Sequence, residues 1–587
     1  LCGIVGAHFK ETAPVALSIY YALYALQHRG QESAGITVYD GTGLRTVKDM
    51  GEIPEVFKKE VQNYKPTYQY GETRYQSKSN GGFMKLKCNV GIGHVRYSTT
   101  GGSKYENCQP LEDSGRRIAI AHNGNLVNSK ELTSELEKEG RIFYSDSDTE
   151  VILHLLIKEI MHHGQDKLEY AAKELIKRLN GSYSLVILLD NKLLAIRDPL
   201  GIKPLCFGEI NNYLFSWDEI IGNDKRLIEF LKQNYDIDWL EKSKIEKIDD
   251  DRTIIVSNEK NSLSLRLDNE KNRVNLKIDD GRTGEFVAKI ENGKQNIYNY
   301  GFVVASESVA IDTLNGKFIR DVMPGEMLIF SNGTYKSSRL TSLRYRAHCV
   351  FEYIYFARPD SVIDGKLVYD VRMRIGEELF KEHPIRADIV TPVPDSGITY
   401  AIGFSKKSKI TYMEGLMKNR YIGRTFIMPW QEMRETAVRL KLNTIKPNIE
   451  GKSIALIDDS IVRGTTSRRI IELIRKSSAK EVHMRIASPP LKSPCYLGID
   501  MATREELVAA HKTVEGIEAL INADSLGYIS KEGLIKSIGI PEDDLCLGCL
   551  TGIYPVKIPG EQWVRQKKLD EFYEKIKKRE LILTIEA

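Results

Sequence analysis

The sequence predicts two domains of mixed class, an α+β half followed by an α/β half built on a parallel sheet. Three observations point to this. The chain has 587 residues, long for one domain and enough for two full cores. Residues 454–466, Ile-Ala-Leu-Ile-Asp-Asp-Ser-Ile-Val-Arg-Gly-Thr-Thr, read as a buried strand, a loop and the start of a helix, the repeating unit of a parallel sheet. In the first half, a helical run over Val151–Leu156 stands near Gly181–Leu189, whose apolar run reads as a buried strand.

Composition narrows the class. With 42% hydrophobic and 28% charged residues the chain reads as soluble and globular. It contains no apolar run long enough to cross a bilayer and no basic and apolar leader at its start, so a cytoplasmic protein is expected. A net charge of +4 is nearly balanced for this length and argues against a broad nucleic-acid-binding face. The eight cysteines, Cys2, Cys88, Cys108, Cys206, Cys349, Cys495, Cys546 and Cys549, are too scattered for a disulfide framework and favour chemistry or metal.

In chain order the first feature is Cys2, in Leu1-Cys2-Gly3-Ile4-Val5-Gly6. A buried terminal cysteine would read the same way. Three later segments change that reading: His28-Arg29-Gly30-Gln31-Glu32-Ser33, Gly91-Ile92-Gly93-His94-Val95-Arg96-Tyr97-Ser98-Thr99, and Ala121-His122-Asn123-Gly124-Asn125-Leu126, with Ser147-Asp148-Thr149-Glu150 beyond. Singly, Arg96 and Asp148 fit surface charges, and Asn123-Gly124 fits a hairpin turn. Together, and in this order, the segments resemble the N-terminal-nucleophile glutaminase domain.

That resemblance implies two stacked antiparallel sheets between helix layers. It implies that Cys2 is the first residue of the mature enzyme, with its own α-amine as base, attacking the glutamine carboxamide to give a thioester and ammonia. Asn123 and the Gly124 N–H would form the oxyanion hole. Arg96 and Asp148 would hold the carboxylate and amino group of glutamine. Leu1 departs from the pattern, because a blocked Cys2 amine is no base. Either a residue is removed in maturation, or Leu1 records a non-standard start codon whose product is a methionine that is trimmed; we expect the second.

Arg197-Asp198-Pro199-Leu200-Gly201-Ile202-Lys203-Pro204-Leu205, Val303-Val304-Ala305-Ser306-Glu307-Ser308 and Arg320–Glu326 also look like this family. The expected first domain spans 2–344, with insertions near 53–86 and 217–297. The second insertion is charged but alternates over Ser262–Leu267, and reads as a β-rich excursion or as disorder. The first insertion is expected to bear on the lid of the glutamine site.

The second domain is expected over 345–587, closing in helices. Asp458 and Asp459 leave the carboxyl end of the 454–457 strand, where open α/β sheets bind ligands, and the N–H groups from Arg463 to Ser467 form a nest suited to phosphate. An acidic pair beside an anion site suits ribose hydroxyls and Mg²⁺; standing alone, it also fits a turn capping a helix. The full stretch resembles the phosphoribosylpyrophosphate (PRPP) loop of type I phosphoribosyltransferases, in the wording of the glutamine PRPP amidotransferase family. Cys349–Ser361 is close to a signature of the same family.

The resemblance implies PRPP contacts at Asp458, Asp459, Ser460, Arg463, Gly464, Thr465 and Thr466. It implies Mg²⁺ at Asp458, Asp459 and Ser396, the last in Ile389–Gly397. Lys418–Ile427 and Arg434–Asn443 resemble the family's flexible loop, which closes on PRPP and excludes water. Cys546-Leu547-Gly548-Cys549 alone would suit zinc, redox or iron–sulfur chemistry. With Cys349 and Cys495 it matches the family's ligands for a structural [4Fe–4S] cluster, zinc being the alternative.

The implied reaction converts PRPP, glutamine and water to 5-phosphoribosylamine, glutamate and pyrophosphate, ammonia passing internally between the sites. Purine nucleotides are implied as inhibitors, and a homotetramer or dimer as the assembly. Two rivals are an amidotransferase with another acceptor and a non-catalytic PRPP sensor. The 454–466 loop speaks against the first, and the retained glutaminase residues against the second.

Overall fold

In the computed structural model, the residues described are 2–62, 66–69, 72–75, 82–97, 102–217, 224, 227–228, 231, 240, 243–248, 252–258, 261–268, 273–278, 283–291, 294–341, 345–419, 442–501 and 503–558. They divide into two compact units: residues 1–199 with 203–342, and residues 200–202 with 343–587. The break thus falls at 342/343, two residues before the one expected from sequence, and 200–202 cross to the second unit.

The first unit is a four-layer stack. Its larger sheet centres on Gly3–Ala13, flanked by Lys294–Ala305 and Cys88–Arg96, with Ser33–Tyr39 and Leu44–Met50 beyond the latter. The second sheet runs in the order Thr334–Arg339, Glu326–Ser331, Lys192–Arg197, Gly181–Leu189, Ile118–Leu126, Leu111–Asp113, antiparallel throughout. Side-chain alternation welds the layers. Ile4, Ile92, Val186 and Leu188 meet between the sheets. Val5 and Ala7 point the other way, onto the helix Val15–Ala25. Leu185, Ile187 and Leu189 point outward onto Asp148–His163 and Leu168–Arg178. Every position of Gly181–Leu189 is buried, Ser182 and Ser184 included, and its apolar run Leu185–Leu189 is covered on both faces.

In the stretch 217–297, read as a β-rich excursion or as disorder, the described residues include five strands, from Lys244–Ile248 to Thr283–Glu291, that continue the larger sheet from the edge of Lys294–Ala305. Ile254, Val256, Leu263, Leu265, Val274, Leu276 and Trp217 form their own core. At the first insertion, Ile53, Phe57, Phe83 and Met84 are buried against the helix Val15–Ala25 layer, so its two ends belong to the domain core. Residues 63–65, 70–71 and 76–81 lie outside the described set.

The second unit holds a five-stranded parallel sheet in the order Thr411–Tyr412, Ile389–Pro392, Ser453–Asp458, Glu481–Ile486, Ser525–Tyr528. The central strand extends the predicted one by one residue at each end. The helix after it, Thr465–Lys476, begins within the Gly464-Thr465-Thr466 turn and buries Ile470, Ile471 and Ile474. The helices expected at the C-terminus fall largely in residues 559–587, outside the described set.

Candidate active sites

Cys2 sits one residue before the strand Gly3–Ala13 and is 8% exposed. Stacking of the two sheets brings it to Asn123 on the opposite one: the Cys2 N–H donates to Asn123 Oδ1 at 3.1 Å. Asn123 Nδ2 is buried and has no partner. Asn123 and Gly124 are strand residues, paired with Ser184 and Tyr183, so the hairpin reading of this Asn-Gly pair does not apply. Gly124 has φ +158°, and a Cβ there would lie 2.0 Å from the Ser182 carbonyl oxygen. Only glycine fits so close to the neighbouring strand.

Arg96, 3% exposed, ends the strand Cys88–Arg96 and donates from Nη1 to the Gly102 carbonyl at 3.2 Å, with Glu32 Oε2 3.8 Å away. The carbonyl of the next residue, Tyr97, lies 3.8 Å from Cys2 Sγ. Ser98 and Thr99 fall outside the described residues. Asp148 opens the helix Asp148–His163, where the macrodipole favours a carboxylate. It accepts the Leu126 N–H at 2.9 Å, and His122 Nδ1 is 3.5 Å away. Burial pushes its pKa up, but His122 and the N–H groups of Leu126 and Thr149 outweigh that and hold the carboxyl below its ordinary range. His122 is steadied in turn by Thr149 Oγ1 at 3.2 Å and, through its backbone N–H, by Gln109 Oε1 at 2.8 Å.

Sequence reasoning attached no role to His122, Gln109, Arg29 or Glu307. Arg29 Nε donates to the Cys2 carbonyl at 3.1 Å, and its Nη1 donates to Glu307 Oε1 at 2.5 Å. Arg29 and Glu307 lie in segments singled out by resemblance, yet nothing in either segment shows that they pair.

In the second unit, Asp458 closes its strand and Asp459 follows, each 7% exposed. The Asp459 N–H donates to Asp458 Oδ1 at 2.9 Å, and Ser460 Oγ donates to Asp459 Oδ2 at 2.6 Å. Burial, then the adjacent Asp459 charge, pushes the Asp458 carboxyl well above its usual range. Gly464, at φ +78°, turns the chain into the helix Thr465–Lys476, leaving Thr465 and Thr466 exposed at its N-terminus. The predicted phosphate contact Arg463 meets an unpredicted partner: its Nε and Nη2 lie 3.1 and 2.9 Å from Glu506 Oε1.

Ser396 lies in the loop after Ile389–Pro392, the strand beside Ser453–Asp458. That loop is pinned to the central strand by Val393 N–H donating to the Ile457 carbonyl at 2.8 Å. The Pro394–Asp395 peptide is cis, and Asp395 pairs with Lys418 at 2.6 Å. Of the flexible-loop segments, residues 420–441 lie outside the described set.

The four late cysteines converge from three stretches. Cys349 lies opposite Cys546 in a short parallel pair. Cys549 is in the helix Gly548–Thr551, and its carbonyl accepts N–H groups from Lys492 and Ser493, at the foot of the loop carrying Cys495. All four are free thiols. Burial, then the charges of Cys495, Cys349 and Cys546, raises the Cys549 thiol well above its ordinary value. Among the described residues, no group of three or more His, Cys, Asp or Glu side chains is arranged to hold a metal ion.

A family model described as glutamine amidotransferase domain matches residues 94–218. The chain is similar to the amidophosphoribosyltransferase of Methanothermobacter thermautotrophicus, 45% identical over 95% of both chains. It is likewise similar to that of Methanocaldococcus jannaschii, 43% identical over 96% of this chain and 99% of the relative. Among solved structures, glutamine PRPP amidotransferase from Bacillus subtilis, complexed with ADP and GMP, matches with a TM-score of 0.71 and 36% identity, covering 96% of this chain and 99% of that one.

Proposed function

The chain belongs to the amidophosphoribosyltransferase family, and from that premise we propose how its residues divide the work. The enzyme converts PRPP, glutamine and water to 5-phosphoribosylamine, glutamate and pyrophosphate, the first step of purine biosynthesis. In our reading, Cys2 attacks the glutamine carboxamide, and the negative charge that develops on the carbonyl oxygen is met by Asn123 Nδ2 and the Gly124 N–H. The observation that carries this is the buried, unpartnered Asn123 Nδ2 beside Cys2. A desolvated donor without an acceptor is costly, and an oxyanion would satisfy it. Arg96 and Asp148, both buried, take the carboxylate and ammonium of glutamine. The base is the Cys2 α-amine, which requires Cys2 to be the terminal residue.

At the second site, Asp458 and Asp459 accept hydrogen bonds from the ribose hydroxyls. Ser460 and the nest of Arg463, Gly464, Thr465 and Thr466 receive the 5-phosphate. Two adjacent buried carboxylates fit a cation, since Asp458 stays charged only with compensation nearby. Asp458, Asp459 and Ser396 would hold Mg²⁺, which supplies charge neutralisation for the departing pyrophosphate. Ammonia attacks C1 of PRPP as pyrophosphate leaves.

We assign a [4Fe–4S] cluster to Cys349, Cys495, Cys546 and Cys549 on donor chemistry alone: the side chains do not stand as a ready ligand set, but the other three thiols act on Cys549, and thiolates that repel one another would become compatible when bound to cationic iron. Its role would be to tie three stretches of the second unit together. Inhibition by purine nucleotides is supported by the ADP and GMP complex of the Bacillus subtilis enzyme. We further propose a cytoplasmic homo-oligomer, tetramer or dimer. Among the described residues no helix is long and apolar enough to cross a membrane.

The test is a single assay of anaerobically purified protein with and without PRPP and Mg²⁺. Glutamate and pyrophosphate are expected together, near one to one. Glutamate without pyrophosphate would refute the assigned acceptor.

A further inference from the structure

Cys2 stands outside the sheet ladder, which begins at Gly3, so side chains must set the orientation of its peptide group. Asn123 holds its N–H. Its carbonyl is held by Arg29 Nε at 3.1 Å, and Arg29 is 2% exposed. The other edge of that guanidinium donates from Nη1 to Glu307 Oε1, which also lies 2.7 Å from His28 Nε2; Glu307 is fully buried.

The backbone fixes where this carboxylate stands. Ser306, one residue earlier, donates its N–H to the Ile4 carbonyl and accepts the Ile4 N–H on Oγ at 3.0 Å. Arg29 ends the short turn Gln27–Arg29, and the following Gly30 lies so close to the Arg96 backbone that a Cβ would come within 2.6 Å. Both partners are therefore held from either side of Cys2. A buried ion pair is a poor way to gain stability, because desolvation offsets the attraction and apolar residues of similar volume often serve as well. Here the pair does something that apolar residues could not: it presents one N–H of a fixed fork to the carbonyl of the nucleophile.

We propose that Glu307 is a positioning residue for glutamine hydrolysis: by clamping Arg29 against the Cys2 carbonyl, it sets the direction from which Cys2 Sγ meets the substrate. The inference rests on the reading of Cys2 as nucleophile. Glu307 acts through Arg29, and not on the substrate. Removing its charge alters the attack geometry while leaving substrate recognition to Arg96 and Asp148, and a displacement of about 1 Å at a nucleophile is worth on the order of 10²-fold in rate.

The experiment measures kcat and KM for glutamine hydrolysis, and PRPP turnover with ammonium chloride replacing glutamine, in the full-length protein. The variants are Glu307→Gln, Arg29→Lys and the reference Cys2→Ala. Glu307→Gln keeps the shape, and Arg29→Lys keeps the charge but loses the fork. Both are expected to lower kcat for glutamine about 10- to 100-fold, with KM for glutamine within about twofold and ammonia-dependent turnover retained. If Glu307→Gln fails to give a cooperative melting transition, Arg29→Lys decides. Unchanged kcat, a rise in KM that accounts for the loss, or an equal fall in both activities would each overturn the inference. Hydrolysis by Cys2→Ala at the normal rate would instead overturn the nucleophile assignment beneath it.

Discussion

At the scale of single residues, the two halves of this enzyme solve opposite electrostatic problems. Asn123 offers a neutral donor with nothing to donate to, so its contribution should be felt only when charge develops. Asn123→Ala is therefore expected to lower kcat for glutamine hydrolysis on the order of 10²–10³-fold with little change in KM, measured by steady-state kinetics. Asp458 has the reverse difficulty, a charge with too little to meet it. Its folded-state pKa is raised, so the folded chain binds that proton more tightly than the unfolded one. Stability on its account is greatest below the unfolded carboxyl value, about 3.9, and falls as pH rises from there through the folded value. Asp458→Asn is then expected to raise Tm at pH 7 without PRPP or Mg²⁺, and to cut PRPP turnover at least on the order of 10–100-fold. A lower Tm would contradict this account of the site.

Among the elements, the helix Thr465–Lys476 shows how packing and binding are joined. Its isoleucines at 470, 471 and 474 hold it to the parallel sheet, which leaves Thr465 and Thr466 exposed at its N-terminus. Ile471→Ala is expected to cost about 2–5 kcal/mol in denaturant unfolding. It should weaken PRPP binding more than glutamine hydrolysis. This element was legible because its apolar residues recur at helical spacing behind a Gly-Thr-Thr turn. The Arg463–Glu506 contact was not, because the two residues are 43 positions apart and Glu506 looks like any charge in a polar stretch. Asn123-Gly124 shows the same limit: a favoured turn pair became strand because Ser184 and Tyr183 pair with it.

Across the whole molecule, the cysteines offer the clearest test. Cys549→Ser would remove one of four thiols drawn from distant stretches. The expected results are loss of iron and labile sulfide from anaerobically purified protein and a Tm lower by several degrees. Wild-type iron content in this variant would remove Cys549 from the ligand set. Periodicity and local chemistry sufficed for the central strand, the helix after it and the buried strand Gly181–Leu189, because each depends on neighbours in the chain. Order along the chain could not reveal that Cys2 meets Asn123 across 121 residues, that Arg29 meets Glu307 across 278, or that residues 244–291 continue the larger sheet instead of standing apart. Those facts follow from sheet stacking and strand pairing, whose partners are selected by complementary burial between distant surfaces.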